Sequence, residues 1–218
     1  MNNYSIRYAT SKDIDFLVQT IIEAEKSGTK TLSYTTIFGL TEEQTFDCLY
    51  KILEEELDGC ELSLSSFLIA EQNGQIAAAV GAWIEAKDGV DSTAIKGSLL
   101  AYTLPLEAIK KASLIAPLVS QLHIEVEKGV LQIGLVYVSP DHRGKKLVKL
   151  LIDEHIKESI AQDASIKEVH VQVFGNNIPA IRAYENCGFV KSKEIECIQE
   201  SILNYLPDQK KIVMKYII

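Results

Sequence analysis

Two short stretches concentrate the residue types from which a binding or reacting site can be made. Residues 141–149 read Asp-His-Arg-Gly-Lys-Lys-Leu-Val-Lys, setting Arg143, Lys145, Lys146 and Lys149 against the single acid Asp141, a net +3. The whole chain carries 22 Lys plus Arg against 30 Asp plus Glu, a net charge of -8, so this island of positive charge runs against the trend. It precedes an apolar helical pattern, and a helix N-terminus already bears about half a positive charge from its unpaired N–H groups. Cations placed there are unfavourable unless an anion neutralises them. A turn at Pro140 after a strand ending at Val138, followed by the flexible Gly144, sets those N–H groups at the strand's carboxyl end, where a pyrophosphate can be cradled. A solvated basic turn is the plainer alternative. Neither GxxxxGK[ST] nor a GxGxxG following a strand is present, so the two commonest phosphate-binding motifs do not account for the stretch.

The second stretch runs Asn177-Ile178-Pro179-Ala180-Ile181-Arg182-Ala183-Tyr184-Glu185-Asn186-Cys187-Gly188-Phe189. The interval from Asn177 to Tyr184 is almost two helical turns, so Asn177, Ala180 and Tyr184 share one face: an amide, a small gap and a phenol in a row. Gly188 can end that helix in the left-handed conformation. Taken singly, Asn177 also reads as a helix N-cap and Tyr184 as a half-buried aromatic.

The elements that must position these stretches alternate along a chain of 218 residues, a length that points to one domain over 1–218. A strand near Tyr4 to Ala9 leads into a helix whose stripe is Ile14, Leu17, Val18, Ile21 and Ile22. A second helix opens at Thr41-Glu42-Glu43-Gln44, a capping-box pattern, with Phe46, Leu49, Leu53 and Leu57 as its expected buried face. Strands over Ser66 to Glu71 and Gln75 to Glu85 flank Asn73-Gly74, a hairpin-turn dipeptide. The stretch from Asp88 to Leu122 is expected to be helical, on Leu106, Ile109, Leu114, Leu118 and Leu122. Val130 to Val138 reads as a buried strand, Lys146 to Ile160 as a helix packed through Leu147, Val148, Leu151, Ile152 and Ile156, and Glu168 to Phe174 as the next strand. After the helix Asn177 to Asn186 come strands over Phe189 to Cys197 and Lys210 to Tyr216. The order is mixed α/β, and strand, helix, strand between 130 and 174 predicts two parallel neighbours with a right-handed crossover, whose carboxyl ends usually bind ligands.

In Val136-Tyr137-Val138-Ser139-Pro140-Asp141-His142-Arg143-Gly144-Lys145 and in the 177–189 stretch, the chain resembles the GNAT superfamily of acyl-CoA-dependent N-acyltransferases. The family's first segment carries Arg or Gln, two residues, Gly, one residue, and Gly or Ala. Arg143 fits that pattern, whereas Lys146 stands at the middle glycine and Val148 at the final small residue. The resemblance covers about 130–200 well and 4–26 loosely, leaving extra helical segments at about 27–65 and 86–128. It implies a central mixed, mostly antiparallel sheet with a splayed parallel strand pair, flanked by helices. It further implies an N-acetyltransferase moving an acetyl group from acetyl-CoA to a primary amine on a small molecule or peptide. The implied cofactor-binding residues are Val136, Tyr137, Val138, Arg143, Gly144, Lys145, Lys146, Leu147, Val148, Asn177, Ala180 and Tyr184, and Tyr184 is the implied catalytic acid. The backbone N–H groups of 136–138 would polarise the thioester oxygen. Glu125, Glu127, Tyr137 and His123 are open choices for the base. A non-catalytic acyl-CoA-binding or sensing module, which keeps the cofactor pocket alone, is the alternative.

Composition narrows the field further. The net charge excludes bulk attraction to nucleic acid or an anionic membrane, and the longest apolar run, Ile76 to Ile84, falls far short of the ~20 residues of a spanning helix. Acids outnumber bases 11 to 5 over residues 1–60, which suits a cationic amine and equally the solvated faces of two helices. Cys48, Cys60, Cys187 and Cys197 form no CxxC, and His123, His142, His155 and His170 stand singly, so no metal is expected and the cysteines read as reduced, packed thiols. The start, Met1 to Arg7, lacks the pattern of a secretory signal, so a cytoplasmic location is expected. Oligomeric state has no signature in the sequence.

Overall fold

Period-two alternation of apolar residues builds the sheet, and the computed structural model describes it within residues 4–55 and 57–218. Residues 1–3 of the chain start considered above lie outside the described residues. The strands are β1 (Ser5–Tyr8), β2 (Phe67–Gln72), β3 (Gln75–Ile84), β4 (Leu131–Val138), β5 (Glu168–Phe174), β6 (Val190–Glu196) and β7 (Lys210–Ile217). The helices are α1 (Ile14–Lys26), α2 (Ser33–Phe38), α3 (Glu42–Glu54), α4 (Ser92–Thr103), α5 (Leu106–Val119), α6 (Leu147–Gln162) and α7 (Ile178–Asn186). Seven strands lie in the order β1-β2-β3-β4-β5-β7-β6. Every neighbouring pair is antiparallel except β4 and β5, the arrangement the resemblance implies.

Alternation sends each strand's side chains to two separate cores. Leu68, Ala70, Ala78 and Val80 join Leu147, Leu151 and Ile152 of α6 on one face. Phe67, Ile69 and Ala79 join Leu17, Ile21, Leu49 and Leu53 of α1 and α3 on the other. The sheet is therefore covered on both sides, and the apolar run of β3 has no solvated face to mark with polar residues.

β4 breaks this alternation at one residue. Val80 pairs with Val136 and Gly81 with Gly134, leaving Leu135 as an extra, unpaired residue at φ 51°. Leu135 packs into the α1–α3 core while Ile133, Val136 and Val138 all face α6. Without the extra residue, Val136 and Val138 would turn to the opposite face. Pairing of β4 with β5 ends just before it, at Ile133 with Val171, whereas β5 continues along β7 as far as Phe174 with Lys211. The carboxyl-terminal halves of the two parallel strands are splayed.

Three expectations need correction. Phe46 and Leu57 are exposed, and α3 ends at Glu54 before reaching Leu57. The buried face of α3 is Thr45, Cys48, Leu49, Ile52 and Leu53, and Phe46 stacks on Tyr50 one turn along the outer side. The 88–122 stretch is two helices broken ahead of Pro105, with Leu106 and Leu114 facing outward. The third helix start moves by one residue: α6 begins at Leu147 because Lys146 is left-handed at φ 61°. The capping box at Thr41 and Gln44 forms as predicted, with Gln44 N–H donating to Thr41 Oγ1 at 3.1 Å and Thr41 N–H to Gln44 Oε1 at 2.9 Å. All four cysteines are free and buried, and burial pushes Cys48 up to about 11.

His155 of α6 is buried beneath the sheet with Nε2 2.8 Å from the Val80 carbonyl, beside the β4 irregularity. Burial pushes its imidazole down to about 4, against the raising effect of the Val80 bond. Between that value and the unfolded ~6.5 only the unfolded chain takes the proton, so stability falls as pH is lowered through this window, by up to about 3 kcal/mol. Urea unfolding from pH 7 to pH 4 should show this loss in the native chain and a flatter profile in His155→Gln. Parallel profiles would remove the imidazole from the account.

Candidate active site

The splay opens a cleft of about 1270 Å³, larger than an ordinary small-molecule pocket of ~300–1,000 Å³. Both helices that begin beside it start at the carboxyl ends of the parallel pair, α6 after β4 and α7 after β5.

At the α6 end, the polypeptide turns through Pro140–His142, then Gly144 at φ 74° and Lys146 at φ 61°. The α6 N-terminus has no side-chain cap and no acid in its first turn. Among the described residues, no loop or cap backbone bond takes a donor between Gly144 and Lys149. Lys149 pairs with Asp153 at 2.9 Å, but no carboxylate pairs with Arg143, Lys145 or Lys146 among the described residues. Unpaired cations and free N–H groups at one helix end suit an anion by both charge and hydrogen bonding. Lys146 occupies the position where the resemblance expects glycine, and it adopts the left-handed conformation that glycine takes freely. The loop shape is retained at a cost of about 1 kcal/mol. Val148 packs against the α6 core, while Lys146 is exposed.

Arg143, Gly144, Lys146, Leu147 and Val148 line the cleft together with Val136, Tyr137 and Val138; Lys145 is exposed outside its wall. Arg143 Nε donates to the Val138 carbonyl at 3.3 Å, tying the loop to its strand. Tyr137 tilts against Phe16 of α1 and accepts from Gln19 Nε2 at 3.3 Å. Burial first, then Glu23, raises the Tyr137 phenol.

Asn177, Ala180 and Tyr184 all line the opposite wall, on the shared face that their spacing predicts. Asn177 also acts as the N-cap of α7: its Oδ1 accepts from the Ala180 N–H at 3.3 Å, and its Nδ2 donates to Ser27 Oγ at 3.0 Å. Tyr184 is 6% exposed, its ring 6.0 Å from that of Phe189. Burial, with a smaller contribution from the Cys187 thiol, pushes its phenol well above the ordinary value near 10. At neutral pH it holds its proton. Gly188 ends the helix at φ 94°, as its sequence position predicts.

Of the four groups considered as a base, His123 and Tyr137 line the cleft. Glu125 is exposed, and Glu127 lies 3.3 Å from Lys215 Nζ; neither lines it. The sequence does not announce the far half of the cleft, where Glu23, Glu25, Glu61, Trp83, Lys96 and Lys211 converge from four elements and a loop. Lys96 pairs with Glu61, and Ser33 donates to Glu25. Glu85, 3% exposed, accepts from Trp83 Nε1 at 3.1 Å, Ser92 N–H at 2.8 Å and Ser92 Oγ at 2.5 Å. Its carboxylate thus anchors the start of α4, the helix that carries Lys96. Each of these charges reads locally as a solvated helix or strand residue, and no spacing rule links them.

A family model described as the acetyltransferase (GNAT) family matches residues 34–189. Among solved structures, an N-acetyltransferase from Staphylococcus aureus Mu50 superposes with a TM-score of 0.66 at 14% identity, over 97% of this chain and all of that one. A polyamine N-acetyltransferase from Drosophila melanogaster gives 0.58 at 14% identity, over 99% of this chain and 100% of its own. The structure of yncA from Salmonella typhimurium with its cofactor acetyl-CoA gives 0.52 at 15% identity, over 99% and 94%. At these identities the likeness speaks for the fold. Among curated proteins, no relative matches the sequence.

The two left-handed positions of the loop make opposite predictions. Gly144→Ala should destabilise by about 1 kcal/mol through backbone strain alone, since an added Cβ meets nothing within 4 Å. Lys146→Gly should leave stability unchanged or raise it by up to about 1 kcal/mol. Urea melts of the two variants check the sign of each; a loss in Lys146→Gly as large as that in Gly144→Ala would contradict the assigned loop conformation.

Proposed function

The chain belongs to the GNAT acetyltransferase family, and from that premise we propose that it transfers an acetyl group from acetyl-CoA to a primary amine. One observation supports this reading above the others: the uncapped, cation-flanked N-terminus of α6 and the protonated phenol of Tyr184 line a single cleft between the splayed strands. The residues present suit the cofactor. Its diphosphate asks for N–H donors and fixed positive charge, which the 144–149 backbone, Arg143 and Lys146 supply. Bound acetyl-CoA supplies an activated thioester. The remaining work belongs to the chain.

The β4 backbone over Val136 to Val138 aligns the cofactor's arm and offers N–H groups to the thioester oxygen, where negative charge grows as an amine attacks. Asn177 holds the start of α7 and keeps one amide N–H for the arm, beside the gap left by Ala180. Tyr184 holds the proton that the departing sulfur needs, because burial prevents its loss beforehand. For the proton leaving the amine, the open choices that line the cleft are His123 and Tyr137.

Calorimetric titration with acetyl-CoA should show one saturable site, and absence of heat at millimolar cofactor would remove the proposal. Arg143→Ala and Lys146→Ala should each weaken acetyl-CoA by about tenfold. S-acetylpantetheine, lacking the diphosphate, should bind both variants as it binds the native chain; equal losses would sink the diphosphate assignment. Tyr184→Phe should reduce thiol release at least about tenfold while leaving cofactor affinity within twofold. Unchanged release would take the acid role away from Tyr184.

A further inference from the structure

The far half of the cleft contains a cation without a counter-charge. Lys210 and Lys211 are adjacent on β7 and point to opposite faces. Lys210 pairs with Glu194 at 3.0 Å. Lys211 turns into the cleft, half-buried, with Nζ 5.8 Å above the Phe174 ring, opposite its own position across the β5–β7 pair. Among the described residues no carboxylate lies within 4 Å of it, and no hydrogen-bond acceptor holds it. The charged groups that face it are Glu61, Lys96 and Glu25. Glu61 is engaged by Lys96 and Glu25 by Ser33.

We propose that Lys211 recognises a carboxylate on the acceptor, so that the substrate of this cleft is an amine that also carries an acid group, such as an α-amino acid or the like. This deepens the proposed function and rests on it. A half-buried ammonium with no counter-ion is costly, and an incoming carboxylate removes that cost, turning desolvation into selectivity. The Lys211 pKa is lowered, by burial first and also by Lys96, with Glu61 and Glu25 opposing, so a bound anion favours its charged form. Lys96, the other ammonium of this half of the cleft, is taken by Glu61, so among the described residues Lys211 is left here as a single unpaired charge, with Arg143 on the α6 loop at the other end. One point charge suits a singly charged carboxylate better than a phosphate, which draws forked or multiple donors. Glu23, paired with Lys26 at 3.0 Å, and Glu25, which accepts from Ser33, are half-buried on α1 and supply negative charge in the same cleft for the amine end. The pocket is bipolar, and a zwitterion fits both poles.

The test measures binding of transfer products, so it does not wait for the right acceptor to be turned over. Protein saturated with CoA is titrated with a panel of N-acetyl-α-amino acids and their matched carboxamides, by calorimetry and ligand-observed NMR. CoA saturation is measured first, so failure of the cofactor reading is seen separately from failure of this one. The native chain should bind at least one acid about tenfold more tightly than its amide. Lys211→Met should erase that ratio without changing CoA affinity, which also reports that the variant is folded, and Lys211→Arg should keep most of it. Equal binding of acids and amides, binding of neither at 10 mM-scale ligand by CoA-loaded native protein, or a ratio that survives Lys211→Met would each overturn the assignment.

Discussion

One surplus residue in β4 governs how this molecule can be used. Leu135 is unpaired against β3, and the strand beyond it keeps Val136 and Val138 on the α6 face although the count has shifted by one. Pairing with β5 stops at Ile133. A parallel pair that stayed zipped to its end would bury the backbone of 136–138 in a ladder and leave no cleft. Because the strands part, main-chain donors and acceptors remain free beside a cavity, and the helices that follow each strand begin at its rim. The same irregularity is buttressed from below by His155, whose ring meets the Val80 carbonyl. A structural bond of α6 and a functional opening of β4 thus share one locus.

The two halves of the cleft are built by different physics. On the α6 side the wall offers backbone N–H donors, and the residues around them are set by conformation: Gly144 and Lys146 both left-handed, Pro140 at the turn, Val148 packed inward. On the far side the wall is made of side-chain charges carried by separate elements. There Glu85 seats α4, the Lys96–Glu61 pair joins α4 to the segment ahead of β2, and Lys211 stands over Phe174 with no carboxylate partner among the described residues. Backbone recognition suits a ligand part that is constant, and side-chain recognition suits one that differs between proteins of a common fold. Of the extra helices, α4 supplies Ser92, Thr93 and Lys96 to that second wall, and α2 supports it through Ser33, which donates to Glu25.

Asn177 has a structural use that is compatible with the one proposed for it at the cofactor's arm. Its side chain caps α7 and reaches Ser27 past the end of α1, so it fixes the relative placement of two elements that flank the cleft. Tyr184, on the same face, is held by Phe189 and by burial, which also keeps its proton in place. The packing that would be required of an ordinary core tyrosine is here what keeps the phenol protonated, the state the proposed function asks of it.

The sequence by itself determined the order and kind of nearly every element, because periodicities of 2 and 3.6 and local signals such as Thr41–Gln44, Asn73-Gly74 and Gly188 act over a few residues. It determined the α6 loop and the Asn177–Tyr184 face for the same reason: each is a local stretch whose spacing sets its geometry. Leu135 was not legible, since Val130 to Val138 is apolar on both faces and a one-residue slip leaves no mark in such a run. Phe46 was misplaced because two neighbouring aromatic and aliphatic stripes on α3 compete, and only the position of α1 decides which is covered. The charges of the far wall come from residues 23 to 211, brought together by the sheet order and by no local rule. Tertiary structure alone decided that, among the described residues, Lys210 finds a partner and Lys211 does not, because side-chain pairing depends on which strand lies alongside, and adjacent residues of a strand face different neighbours.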